Sequence, residues 1–185
     1  MKTARISWAA MVGFVLALSA SVASAQLNSA AQAITLNANL AESLTVSLSA
    51  SAVNFNLSAG SANNPGTAGI TATTAWTLAS GRTSVGIYAY FSSATAALTD
   101  GAGSNIPSSA FFIADNAGAP AALTNTVTFG AANAGLKLAT VAITNANRSG
   151  NHTDAMTFNI NLSTLPQLPA NAYTGTLNIQ AQATP

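Results

Sequence analysis

The 185-residue chain holds one histidine, His152, and it stands between Ser149 and Asp154 in the run Ser149-Gly150-Asn151-His152-Thr153-Asp154. Serine, histidine and an acid are the parts of a nucleophilic triad, in which the base must reach nucleophile and orienter from fixed directions. Three such residues within one run of six predict an ordinary loop closing a hairpin, not a triad. Zinc needs three or four convergent ligands, and one histidine with dispersed carboxylates does not supply them. Glycoside hydrolysis needs two carboxylates across the scissile bond. The chain's four acids, Glu42, Asp100, Asp115 and Asp154, show no pairing pattern. Thr99-Asp100-Gly101-Ala102-Gly103-Ser104-Asn105 has the look of a calcium loop but offers one carboxylate where several of six to eight oxygens are wanted, so a glycine-rich turn is expected. The same stretch lacks the Lys-Ser/Thr that completes a phosphate cradle. No catalytic, cofactor-binding or metal-binding residue is assigned, no cofactor is expected, and the chain does not read as an enzyme.

Binding chemistry is better represented. Tyr88 and Tyr90 are two apart, so in a strand they share one face, opposite Val85, Ile87, Ala89 and Phe91. Aromatic rings on an amide-rich face can stack on sugars, or cover a neighbouring subunit. Trp76 is a further candidate for ligand stacking, although a large aromatic more often anchors a core.

The elements that must hold these residues are strands. Period-two alternation runs through Ile34, Leu36, Ala38 and Leu40; Leu44, Val46 and Leu48; Val53, Phe55 and Leu57; Met156, Phe158, Ile160 and Leu162; and Leu177, Ile179, Ala181 and Ala183. Segments 70–78, 85–91, 111–113, 127–129 and 136–143 add further β-like runs. Only residues 92–98 and 131–138 have the composition for a turn or two of helix. Turn residues punctuate the chain at Asn63-Asn64-Pro65-Gly66, Asp100-Gly101, Gly118-Ala119-Pro120 and Asn147-Arg148-Ser149-Gly150. The pattern predicts an all-β chain, an antiparallel β-sandwich of about eight or nine strands.

Lys2 and Arg5, the apolar run Ile6 to Leu18, and the small residues Ala23-Ser24-Ala25 form a secretory signal peptide over residues 1–25. The run falls short of the ~20 apolar residues that cross a bilayer core. Gln26 is expected to begin the mature chain, which carries no membrane span of its own. Residues 26–40 would be an N-terminal strand or extension, and 41–185 the β-domain. From Gln26 onward the chain has three cations against four carboxylates, net −1, and 35 Ala, 21 Thr, 18 Asn and 16 Ser in 160 residues. So little charge excludes a nucleic-acid-seeking surface. It also removes the repulsion that keeps sheet edges apart, which favours self-association. The absence of cysteine excludes disulfides and thiolate chemistry.

Two stretches resemble the spore coat protein U family: Ala33-Ile34-Thr35-Leu36-Asn37-Ala38-Asn39-Leu40-Ala41-Glu42-Ser43-Leu44-Thr45-Val46-Ser47 with Val53-Asn54-Phe55, and Leu168-Pro169-Ala170-Asn171-Ala172-Tyr173-Thr174-Gly175-Thr176-Leu177-Asn178-Ile179. Leu44 stands where that family carries a cysteine, Asn56 follows Phe55 in place of glycine, and Asn171 replaces a glycine. The resemblance implies an immunoglobulin-like, pilin-like sandwich, exported through the periplasm with help from a chaperone and an usher. It further implies a cell-surface fimbrium or coat built by strand exchange between subunits. Ile34, Leu36, Ala38 and Leu40 would be the donor residues. Residues 26–40 fit equally the first strand of the chain's own sandwich. The function expected is a secreted structural subunit of a surface fibre, forming a homo-oligomer or filament. The alternative is an extracellular carbohydrate-binding or adhesive module with a glycan partner, using Tyr88, Tyr90 and Trp76.

Overall fold

The computed structural model describes residues 27–165 and 167–185; residues 1–25, the expected signal peptide, lie outside them. The chain divides into two units, Met1–Ala38 and Asn39–Pro185. In the first, residues 27–38 carry no strand and are exposed. The second unit is all-β. Among the described residues no helix is long and apolar enough to cross a membrane, and the one helical turn is a 3-10 turn at Ser108–Ala110. Neither 92–98 nor 131–138 is helical.

The described residues form eleven strands in order: β1 (Ser43–Leu48), β2 (Asn64–Pro65), β3 (Ile70–Thr77), β4 (Ser84–Tyr90), β5 (Leu98–Thr99), β6 (Asn105–Ile106), β7 (Phe111–Asp115), β8 (Ala121–Ala122), β9 (Gly135–Ala142), β10 (Ser149–Ile160) and β11 (Asn178–Thr184). All their pairings are antiparallel. One sheet runs β1-β3-β10-β7-β8, with β2 also on β10; a second runs β11-β4-β9; β5 and β6 form a hairpin. The 12-residue β10 is the spine of the larger sheet. It pairs with β3 over Ser149 to Met156, then with β7 and β2 over its C-terminal half.

The alternation sets the core. On β3, Ile70, Ala72, Thr74 and Trp76 point inward and Thr71, Thr73 and Ala75 outward; on β4, Val85, Ile87 and Ala89 are buried. The inward residues of the two sheets share one interior. Phe111 is its hub: its ring centroid lies 5.2 Å from Phe91, 5.8 Å from Phe55 and 5.9 Å from Phe158. Each such buried side chain contributes on the order of 1.5–3 kcal/mol. A second cluster of Trp76, Leu78, Val85, Ile87 and Ile143 closes the opposite end.

The expected glycine-rich turn caps the β5–β6 hairpin. Asp100 Oδ1 accepts hydrogen bonds from the Ala102 and Ser104 amides at 2.8 and 2.9 Å, and Gly101 and Gly103 take φ of 72° and 110°. Those amides, the Ala102 N–H first, hold the Asp100 carboxyl below its ordinary value. At β2 the buried Asn64 side chain accepts from the Ser58 amide at 2.7 Å and donates to the carbonyls of Ile160 and Ser61 at 2.8 and 3.0 Å.

Besides the run Ile34 to Leu40, two runs expected as strands are not. Val53, Phe55 and Leu57 turn toward the core, yet only Phe55 makes a ladder contact, to Gly66. Residues 127–129 lie in the connection between β8 and β9. Conversely, Ser149 to Asp154, expected as a loop, is the first half of β10.

Candidate functional site

An apolar groove of about 740 Å³ opens in the second unit. One wall is the end of β1 and the segment Ala50 to Phe55; the other is the segment Leu168 to Leu177, leading into β11. Its floor is core: Ile70, Phe91, Phe111, Met156, Phe158 and Ile160. The walls are short of ladder partners for a local reason. Beyond β1 the chain carries small and polar residues, Ser49-Ala50-Ser51-Ala52, before alternation resumes at Val53. Pro169 breaks the other wall, where the Tyr173 hydroxyl donates to the Pro169 carbonyl at 2.9 Å. β11 and β1 are the end strands of their sheets on this side.

The four residues singled out as strand donors lie outside any strand. Ile34, Leu36 and Leu40 are 84, 87 and 84% exposed, and Ala38 is exposed too. Their period-two spacing is the one that would put all four on one face of a strand.

Tyr88 and Tyr90 stand together on the outer face of β4, as their spacing predicts. Phe129, from the β8–β9 connection, packs between them, its centroid 5.8 Å from Tyr88 and 5.9 Å from Tyr90. The Tyr90 hydroxyl donates to Gln180 Oε1 on β11 at 2.7 Å. Trp76 does not join this face. It is 4% exposed on the inner face of β3, with its indole N–H donating to the Asn147 carbonyl at 2.9 Å. Trp76 is a core anchor and takes no part in a stacking surface.

The histidine site is rearranged by its strand. In β10, His152 and Asp154 are two apart and share the inward face, with His152 Nε2 at 3.1 Å from Asp154 Oδ1. Ser149 faces the other way, so the three side chains do not meet. Asp154 is fully buried, as is Thr74 on the neighbouring β3. Asp115, at the end of β7, completes the group. Burial raises its carboxyl above the ordinary value, and the charge of Asp154 adds to the rise. Thr74 Oγ1, Asp115 Oδ1 and Asp154 Oδ2 are buried without hydrogen-bond partners among the described residues. No group of three or more His, Cys, Asp or Glu there is placed to hold a metal ion. Away from this group, just before β1, Glu42 forms a bidentate pair with Arg82 through two 3.1 Å contacts. The Arg82 hydrogen bond, then the Ala79 amide, lowers the Glu42 carboxyl.

Sequence reasoning missed Phe129, because a run of three apolar-flanked residues looks like a strand. It missed the groove because absent pairing has no composition. Family models, curated proteins and solved structures return no match to this chain.

Proposed function

We propose that the chain is an exported structural subunit of a surface fibre, pilus or coat, assembled by strand addition. Its fold, on this reading, is an immunoglobulin-like, pilin-like sandwich that lacks one strand between the segment Ala50 to Phe55 and the segment Leu168 to Leu177. The observation that carries the proposal is the groove: its floor is the hydrophobic core itself. A strand laid there would hydrogen-bond to the backbone of the wall segments and drop alternate side chains into the floor. The alternating donor Ile34, Leu36, Ala38 and Leu40 has the period such a site requires, and its large members are exposed. Donation from one copy to the next is head-to-tail and does not close, so it builds filaments. Residues 1–25 would direct export, and a periplasmic chaperone and usher would shield the groove until a donor arrives.

The test compares Gln26–Pro185 with the same chain carrying Ile34→Asp and Leu36→Asp, by size-exclusion chromatography and electron microscopy. Filaments or ladders from the first and a folded monomer from the second are expected. A stable monomer from the unsubstituted chain, or unfolding caused by the two substitutions, would overturn strand donation.

A further inference from the structure

The outer face of β11-β4-β9 presents a nearly uncharged surface with one cation on it. Across the strands, Gln180, Tyr88 and Lys137 stand in one row, and Gln182, Gly86 and Thr140 in the next. A β-bulge between Ile87 and Tyr88 creates the first row. It leaves Leu138 unopposed, partly buried against both apolar clusters, and brings Lys137 opposite Tyr88. Re-aiming one side chain is what bulges do.

The glycine in the second row matters as much. A Cβ on Gly86 would lie 2.5 Å from the Tyr88 hydroxyl oxygen and 2.8 Å from Cζ. The Tyr88 ring therefore folds back over the bare backbone of Gly86. Phe129 packs against it at an interplanar angle of 74°. Lys137 is exposed and makes no salt bridge among the described residues. None of the four carboxylates of the chain lies on β4, β9 or β11.

We propose that this face binds the ring of a carboxylated sugar, with Tyr88 as the stacking platform and Lys137 pairing with the carboxylate. A sugar's axial C–H groups fit a flat aromatic face, whose π-system is electron-rich. The side-chain amides of Gln180 and Gln182 and the Thr140 hydroxyl supply donors and acceptors for ring hydroxyls. An unpaired ammonium with no carboxylate on its sheet is complementary to an anion. A peptide is the poorer occupant, because the main-chain groups it would pair with lie at a sheet edge, not on this face. The face is distinct from the groove, and its occupant does not depend on fibre assembly.

Isothermal titration with tetragalacturonate tests this, with galactotetraose as the neutral comparison and tetraglutamate as the acidic peptide. Saturable millimolar binding of tetragalacturonate is expected, weakening as salt rises. Tyr88→Ala should weaken it about tenfold. Lys137→Gln should weaken it about threefold and remove the salt dependence. Tyr88→Leu keeps apolar packing against Phe129 while removing the aromatic face, so the same loss there excludes unfolding as the cause. Absence of saturation, or affinity unchanged in both Tyr88 variants, overturns the site. Equal binding of galactotetraose, or of tetraglutamate, overturns the carboxylated sugar as its ligand.

Discussion

His152 and Asp154 face the same interior, Nε2 to Oδ1 at 3.1 Å, because a strand turns residues two apart to one side. The pair sits between the two apolar clusters of the core, together with Thr74 and Asp115. Polar groups in that position are expected to govern stability more than any surface charge does.

Asp115 makes stability depend on pH with a defined sign. Its carboxyl is raised in the folded chain, by burial first and by Asp154 next. Its contribution is therefore full below the unfolded carboxylate value and is lost as pH rises through the higher folded one. Glu42 and Asp100, both lowered, act in the opposite direction, losing their contribution as pH falls. Asp115→Asn isolates the first effect and places an amide donor beside the unpaired Asp154 Oδ2. Thermal melts from about pH 4 to about pH 7 should show the variant gaining on the wild type as pH rises.

Thr74 has a fully buried hydroxyl without a partner among the described residues. Thr74→Val keeps the shape and removes the desolvated oxygen, so it should stabilise by about 1 kcal/mol. Urea unfolding with an unchanged slope is the measurement.

Asn64→Ala removes three hydrogen bonds from a buried amide and leaves the Ile160 carbonyl and the Ser58 amide without it. A loss of about 2–3 kcal/mol is expected. Hydrogen exchange should quicken at Ser58.

Phe111→Ala empties the hub of four aromatic rings. It should cost about 3–5 kcal/mol in chemical denaturation. The groove floor would deepen, so strand addition should weaken in the same variant.

Gly86→Ala places a methyl where the Tyr88 ring lies. The ring is the movable partner, so stability should fall by only about 1 kcal/mol. The tyrosine resonances should shift, and sugar binding should weaken with them.

Much of the β-structure was legible from alternation. Val85, Ile87, Ala89 and Phe91 are buried as their spacing predicts, with Tyr88 and Tyr90 on the other face. The β10 alternation from Met156 to Ile160 likewise holds. The turn residues at Asn147-Arg148-Ser149-Gly150 misled. Gly150 there is a β10 residue paired opposite Trp76, with the indole at ordinary contact distance, a pairing that local propensity does not reveal. The groove-wall residues Val53, Phe55 and Leu57 kept their inward alternation but found no continuous partner strand.

By itself the sequence determined the all-β class, the inward and outward faces of most strands, and the near-absence of charge. These come from residue type and a period of two, which are local. The tertiary structure alone decided which strands pair and where pairing stops. It also decided that Lys137 stands opposite Tyr88, and that Thr74, Asp115, His152 and Asp154 converge. Those relations join residues tens of positions apart, and register and bulges set them by balancing core burial against hydrogen bonding across whole sheets.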